Sequence, residues 1–591
     1  RQAETPQIIK IGITLFSCLT LAFSKTFWSQ ANSVEVYSLH IFFLVSLFFV
    51  FLKAINTSRN HLPSPLQRGN SIISSVKTNF VSENKYYLIF SFLLGLSFTN
   101  HLTTILLAPA CLTLFLVTNL KNKKSILPLI GIMSVCFLIG FSVYLYLPIR
   151  AAMNPIFLWG NPYNLERFYW HITGKQFSVW IFSAQGSIPV FLFLLFSLVI
   201  LSVIGLKRRI TINKFYHFSV FLVLSALSFI MLSSSSGIVE KQFKFFLNSL
   251  LNEFGTGLFL FAILGIYKLS EFNLNIYYLT VLSFLGCLFY SVNYDIHDIS
   301  SYFLLAYIVT AIWIGFGALY IYEKIDNFIK SKTRQLIFSV VIVLLSVITL
   351  KSNYGENDES KNYYVEEYTM NVFRNIEPNG VIISSQWDFW ISSSWYYNFV
   401  KKIRTDIVVI DKELLRRSWY FTYLRRNYPE IYENSKGEIE RFLSELYKFE
   451  HNIPYEQKVI MRAFSDLLTS FVEKNPSRNI YTTWEIERDK NETFAVNYNR
   501  IPDGILSQLV KIDTANTQEQ LIKTYDFNFT PTTKKNYYHE TIMLSYASML
   551  TNSANYLFKQ NRITDARKYL DLALSAISNF PQALELKKKI N

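Results

Sequence analysis

"SILPLIGIMSVCFLIGFSVYLYLPIRAAMNPIFLWGNPYNLERFYWHITGKQFSVW" occupies residues 125–180 and contains both textures from which the chain is built. Residues 125–148 are apolar almost without interruption. At 1.5 Å per residue, a run of about 20 residues crosses a hydrocarbon core of about 30 Å. Lipid offers the backbone no hydrogen bonds, so such a run is a helix that satisfies its own amides. The stretch then turns polar and aromatic. Arg150, Glu166, Arg167, His171 and Lys175 are interleaved with Trp159, Trp170 and Trp180. The two Asn-Pro pairs and Gly160 impose turns.

The same alternation repeats on either side. Eleven apolar runs are expected to span a membrane: 8–23, 37–53, 86–99, 102–119, 125–148, 188–206, 215–233, 254–267, 275–292, 303–321 and 335–350. Of these, 86–99 and 254–267 are the shortest and are also compatible with re-entrant or tilted segments. Lys and Arg gather in alternate loops: Lys53, Arg59, Arg68, Lys77 and Lys85, then "KNKK" at 121–124, "KRR" at 207–209, and Lys324, Lys330, Lys332 and Arg334. Basic loops stay cytoplasmic. The expected outward set is therefore 24–36, 100–101, 149–187, 234–253, 293–302 and everything after 350.

Composition agrees. Of 591 residues, 51% are hydrophobic, too apolar for an ordinary soluble enzyme. The net charge of +15 is explained by the loop lysines and arginines. No nucleic-acid recognition motif accompanies it, so no nucleic-acid partner is expected. Cys18, Cys111, Cys136 and Cys287 all lie in apolar runs and read as small buried hydrophobes. No CxxC or Cys/His metal spacing, Walker loop, dinucleotide fingerprint, HExxH or GxSxG occurs. A secondary transporter would be expected to show internal repeats and mid-membrane charges, and neither is evident.

Beyond 350 the chain is mixed and charged. "GVIISSQWDFW" and "TDIVVID" read as buried strands, "ISSSWYYNFVKKI" and "KELLRRSWYFTYLRRNYP" as helices, 430–475 as helical, and "RNIYTTWEI" as another strand. Strands alternating with helices suggest a small α/β layer with a parallel sheet. From about 538 the tail is helical, with Ala554, Ala566 and Ala573 at spacings like the small positions of a tetratricopeptide (TPR) repeat. One repeat cannot bury its own face, so it must pack on preceding helices or on a protein partner. The expected domains are 1–350, a polytopic helical membrane domain; 351–535, an outward α/β domain; and 536–591, a TPR-like helical tail.

Unusual residues concentrate in the outward loops. Glu35 sits at the mouth of the second run, where ionisable groups at membrane depth are functional candidates; the alternative is a wetted interfacial carboxylate. Asn100 and His101 share the tight turn "FTNHLTT", where the histidine is either a turn residue or a donor to phosphate or sugar hydroxyl. Arg150 ends a span, where a guanidinium suits bidentate phosphate contacts. His171 and Lys175 add donors, and Trp159 can stack on a sugar ring. The alternative for this cluster is an interfacial amphipathic helix with snorkelling bases and belt tryptophans. Asp295, His297 and Asp298 in "NYDIHDISSYF" are candidates for acceptor or metal contact, or form an ordinary polar loop with an N-cap at Asp298 or Ser300. No metal ligand set is assigned.

Taken together, "FWSQANSVEVYSL", "LLGLSFTNHLT", "YLPIRAAMNPIFLWGNPYNLERFYWHITGKQF" and "YDIHDISSYFLLAY" resemble the domain-of-unknown-function 2723 family, grouped as glycosyltransferase family 117 and protein O-mannosyltransferase-like. The resemblance covers about the first 350 residues, and the soluble tail resembles that of bacterial members. It implies a GT-C fold and a polyprenyl-phosphate sugar donor. An acceptor protein would offer Ser or Thr hydroxyls, a general base would activate them, and cationic groups would stabilise the leaving phosphate. The family's "GGDSGE" and "HPPGYP" stretches precede the matched region, and neither occurs in these residues. The general base is therefore expected upstream of Arg1, with Glu35 in a supporting role. The expected setting is a bacterial inner membrane with the tail in the periplasm, or a lumenal tail if the source is eukaryotic. Competing readings are a transferase that modifies lipid or polysaccharide, and a lipid-linked sugar transporter.

Overall fold

The computed structural model describes residues 5–60, 80–119, 123–177, 180–182, 187–207, 219, 237–296, 298–325, 328–489, 492–512, 523 and 536–590. Of the expected span at 215–233 only residue 219 is described, and the loop residues Arg68, Lys77, Lys121, Arg208 and Arg209, together with His297, lie outside the described residues. The chain divides into two compact units. One comprises Arg1–Ile149 and Asn164–Asn357, the other Arg150–Tyr163 and Asp358–Asn591.

The first unit is helical. Its helices are α1 (Gln7–Ala22), α2 (Lys25–Asn32), α3 (Tyr37–Asn60), α4 (Phe80–Asn100), α5 (Ala108–Asn119), α6 (Lys123–Phe141), α7 (Tyr146–Ala152, ending in the second unit), α8 (Leu165–Ile172), α9 (Ser187–Lys207), α10 (Gly237–Phe272), α11 (Leu274–Ser291), α12 (Leu304–Ile325) and α13 (Lys332–Asn357). Among the described residues, eight helices are long and apolar enough to cross a membrane, or nine if α1 and α2, bent by 67°, form one broken span. The chain is an integral membrane protein on this evidence. Helix α4, covering the expected 86–99 run, is not one of the eight; its first turns carry Glu83 and Lys85.

Two expected boundaries move. The segment 234–253, expected as an outward loop, is helical from Gly237 onward, because α10 runs to Phe272 with one interruption at Gly255 (φ 75°, ψ 158°). Glu240, Lys241 and Lys244 break its apolar run without breaking its helix, and Glu240 and Lys244 form an i,i+4 ion pair at 2.6 Å. Helix α13 likewise passes 350 and ends at Asn357. Its polar last turns are held by the α1–α2 bend: Asn353 Nδ2 donates to Phe23 O (2.8 Å), Glu356 pairs with Lys25, and Tyr354 packs edge-on to Trp28.

Helices α10 and α12 touch backbone to backbone. A Cβ on Gly265 would fall well inside contact distance of the Trp313 carbonyl, and one on Gly317 would do the same at the Phe261 carbonyl. Helices α4 and α6 repeat the device at Gly95 and Gly140, against the Phe137 and Phe92 carbonyls. Within lipid, where apolar side chains gain little by leaving their neighbours, such close approach is what brings helices together. Facing Gly265 and Gly317, Lys268 of α10 pairs with Glu323 of α12, one turn or so further along.

The second unit is an α/β layer. Strands β1 (Val381–Ser384), β2 (Val408–Asp411), β3 (Ile480–Thr482), β4 (Tyr498–Asp503) and β5 (Leu506–Lys511) form one sheet in the order β2-β1-β3-β5-β4. β1 pairs in parallel with β2 and β3, as the sequence predicts for the first three strands. The antiparallel β4–β5 hairpin is new; "PDG" marks its turn, and Gly504 supplies the positive φ of 67°. "ISSSWYYNFVKKI" belongs to a helical stretch with π-type turns at both ends, 387–391 and 396–400. "KELLRRSWYFTYLRRNYP" breaks into a 3₁₀ turn and a short helix, Tyr420–Asn427.

The tail helices Tyr537–Lys559, Ile563–Ala576 and Pro581–Ile590 do not stand apart. Their apolar faces join the same core as the sheet. Asn371 Nδ2 donates to Tyr546 Oη (2.9 Å) and Ser553 Oγ to Gly504 O (2.9 Å), so the tail packs on its own unit.

Asp411 closes β2 at 2% exposure. Burial pushes its carboxyl up to about 6, against the Leu414 and Glu413 amides that donate to Oδ1 at 3.0 and 2.8 Å and would lower it. A group raised on folding contributes stability in full below its unfolded value, near 4, and loses it as pH rises through about 6. Asp411→Asn retains the acceptor for both amides. It is expected to stabilise the unit at pH 7.5 by on the order of 1–3 kcal/mol and to flatten the pH dependence between about 4 and 6. Thermal unfolding midpoints at pH 4.5 and 7.5 check this.

Candidate functional site

In the membrane unit, three chain breaks meet at one end: the start of α3, the junction of α4 with the 3₁₀ turn Leu102–Leu107, and the turn Ile299–Phe303 before α12. His101 stands at the junction in extended conformation (φ −152°, ψ 128°) and caps the 3₁₀ turn, its Nδ1 accepting from Thr103 N–H at 3.3 Å. Asn100 donates Nδ2 to Val36 O (3.1 Å), fastening the junction to the start of α3. Tyr37 and His40, one helical turn apart on α3, then share a face. The His101 ring lies 4.8 Å from His40, 5.2 Å from Tyr37 and 5.9 Å from Tyr302; Tyr37 and Tyr302 are 6.3 Å apart. Tyr294 packs edge-on to Tyr302 at 4.8 Å.

Hydrogen bonds thread these rings. Thr103 Oγ1 lies 2.6 Å from His101 Nδ1 and 3.0 Å from His40 Nε2. The Tyr37 phenol lies close enough to Ser301 and Tyr302 to feel both electrostatically. Burial pushes the His101 imidazole down to about 4, so it is neutral at physiological pH.

Of the residues singled out in the sequence, Asn100 and His101 are thus brought together with aromatic partners. Glu35 is exposed in the α2–α3 connection, and both it and Asp298 act electrostatically on Tyr37. Asp298 begins the Ile299–Phe303 turn but its side chain does not cap it. Asp295 lies beside the Ile181–Tyr294 bridge, accepts the approach of Lys241 (3.9 Å), and its amide donates to Trp180 O. No group of three or more His, Cys, Asp or Glu able to hold a metal occurs among the described residues.

The 146–180 cluster divides. His171 and Lys175 stay in the membrane unit, where burial lowers His171 and Lys175 Nζ sits 3.6 Å over the Trp170 ring. Asn164 caps α8 by accepting from Arg167 N–H (2.9 Å), and the helix exposes Leu165 and Tyr169, one turn apart. That pattern is the interfacial alternative for this stretch. Arg150 and Trp159 belong to the other unit. The Arg150 guanidinium donates to Met153 Sδ (3.4 Å) and makes no ion pair among the described residues. Trp159 packs between Trp387 (5.5 Å) and Trp419 (5.3 Å), with Phe157 on Trp395 (4.6 Å). Arg426 and Asn427 hold the segment's backbone at Pro155 and Ile156 (2.8 and 3.0 Å).

Sequence reasoning missed two residues. His40 sits inside an apolar run where it reads as a core histidine. Glu253, at 1% exposure on α10, accepts the Thr26 amide (2.9 and 3.1 Å) and hydroxyl, holding the first turn of α2. The only signal for it was a carboxylate abutting an apolar run.

A family model described as the protein O-mannosyl-transferase TMEM260 N-terminal domain matches residues 1–124, which include Glu35, Tyr37, His40, Asn100 and His101. The chain is 21% identical over 415 residues to protein O-mannosyl-transferase TMEM260 of Mus musculus, covering 70% of this chain and 50% of that protein. It is 21% identical over 603 aligned residues to protein O-mannosyl-transferase tmem260 of Dictyostelium discoideum, covering 95% of this chain and 64% of that protein. The chain spans half to just under two thirds of the length of these curated relatives, and it is to proteins bearing that name that it is similar.

Proposed function

We propose that this chain is a membrane glycosyltransferase, or the larger part of one, that moves mannose from a polyprenyl-phosphate donor to Ser or Thr hydroxyls of a protein on the outward face. The observation that carries the reading is the meeting of Asn100 and His101 with Tyr37, His40 and Tyr302 at one end of the helical unit. Four of these five residues fall within the stretch matched by the O-mannosyl-transferase domain. Neutral donors, acceptors and aromatic faces are the groups that hold a sugar while its hydroxyls and ring edges are read. The alternation of basic loops supports an outward orientation for this end, which would be the periplasm for a bacterial source.

Arg150 carries its own expectation as a phosphate contact, resting on a guanidinium without an ion-pair partner among the described residues. Incubating the full-length protein with polyprenyl-phosphomannose and an acceptor protein should yield O-mannosylated product. Arg150→Ala should lower turnover by 100-fold or more, on the order of one lost charge contact at a transferring phosphate. No transfer by the wild type across a panel of donors would sink the reading; full activity of Arg150→Ala would remove only the phosphate assignment.

A further inference from the structure

Thr103 decides the protonation of its two histidine neighbours. Its backbone N–H points at His101 Nδ1, so that nitrogen is an acceptor and the ring proton sits on Nε2. The Thr103 hydroxyl, 2.6 Å from the same Nδ1, donates to it and is left to accept from His40 Nε2–H at 3.0 Å. His40 Nδ1 is then a bare lone pair, and it is buried with no hydrogen-bond partner among the described residues. His101 Nε2–H also makes no hydrogen bond among them.

We propose that Tyr37, His101 and Tyr302, backed by Thr103 and His40, form a subsite for the hydroxyl-bearing face of a sugar ring rather than for the donor phosphate. This rests on the glycosyl-transfer reading and narrows what the site recognises. A buried phosphate needs a cation or several convergent N–H donors. No lysine or arginine hydrogen-bonds or pairs with these five residues among the described residues, and the charges felt by Tyr37 are the carboxylates of Asp298 and Glu35, which repel an anion. A sugar hydroxyl both donates and accepts. The group left open here is the donor His101 Nε2–H, to which a sugar hydroxyl can offer its oxygen, while His40 Nδ1 stays sealed behind it and only backs the site. The rings of Tyr37, His101 and Tyr302, 5.2 to 6.3 Å apart, supply apolar faces for the C–H side of the same ring.

The test compares two probes on the full chain in nanodiscs: polyprenyl-phosphomannose and the same polyprenyl phosphate without sugar. The wild type should bind the sugar-bearing lipid about tenfold tighter, the worth of one well-made hydrogen bond or two weaker ones. His101→Phe should erase that preference and leave binding of the bare lipid within twofold, which also reports an intact fold. His101→Gln, which keeps a donor and an acceptor, should recover most of the preference. A wild type and a His101→Phe variant that share the same preference overturn the subsite alone. Equal weakening of both lipids by His101→Phe assigns the residue to phosphate and overturns it too. A wild type with no preference for the sugar overturns the transfer reading, and the subsite with it.

Discussion

Leucine at position 265 is expected to keep α10 and α12 from closing on each other. Even the first carbon of a side chain there would collide with the Trp313 carbonyl, and backbone cannot rotate aside as a flexible side chain can. The helices would have to separate by more than an ångström along a contact that also holds Gly317 against the Phe261 carbonyl and Lys268 against Glu323. Overpacking a well-filled interface costs about 1–3 kcal/mol where side chains can yield, and more where only backbone can move. Gly265→Ala is therefore expected to lower the unfolding midpoint measurably, and Gly265→Leu to leave little monodisperse protein after detergent extraction. Gly257 lies on the same helix with nothing within 4 Å of where its Cβ would be, so Gly257→Ala should leave the midpoint unchanged or slightly raised. Size-exclusion profiles and thermal melts of the three variants separate the close approach from a general intolerance of helix substitution.

Removing the Lys412 ammonium is the second large effect. Lys412 follows β2 and is 4% exposed, with Glu492 at 2.6 Å, Asp489 at 3.3 Å and Glu413 at 3.7 Å. Burial raises Glu492, but the Lys412 and Arg416 contacts outweigh it and hold that carboxyl below its ordinary value. Lys412→Met would leave these carboxylates facing one another with half their neutralising charge gone. Breaking a buried pair from one side costs on the order of 3–5 kcal/mol, and partial exposure of the acids places this case at about 3. The sign of the pH dependence follows from the lowered Glu492: its contribution is present above its unfolded value, near 4.3, and disappears as pH falls through the folded one. The gap between wild type and Lys412→Met should thus be widest at pH 7 and shrink below about pH 4. A gap that stays constant between pH 3.5 and 7 would mean that the lysine acts through packing of its stem alone.

Much of the helical frame was legible because lipid leaves the chain few options. An apolar run long enough to cross must be helical, so helices stand where most of the expected spans lie. The strands β1, β2 and β3 were legible for a related reason: Val381–Ser384, Val408–Asp411 and Ile480–Thr482 are buried throughout, and short apolar runs between helices form parallel strands. The hairpin β4–β5 escaped because "YNRIPD" alternates weakly in burial, although the Pro-Asp-Gly turn announced it.

Boundaries were less legible because they depend on partners elsewhere in the chain. Helix α13 continues through "KSNYGEN" only since Phe23, Lys25 and Trp28 receive Asn353, Glu356 and Tyr354. Residues 150–163 look like the middle of one polar loop, yet Phe157 and Trp159 pack among Trp387, Trp395 and Trp419, more than 200 residues away in sequence.

The candidate site divides along the same line. Residue type and loop position were enough to single out Asn100, His101, Arg150 and Glu35, since charge and amide groups stand out against an apolar background. Nothing local to His40 distinguishes it from a core histidine, and nothing local to Glu253 says that it holds the first turn of α2. The sequence by itself determined that the chain is a membrane-embedded helical unit with an α/β unit, because hydrophobic length and periodicity act residue by residue. Only the tertiary structure decided which polar groups meet, because a hydrogen bond of 3 Å between His40 and a threonine 63 residues away depends on how three helices pack and on no property that either residue carries alone.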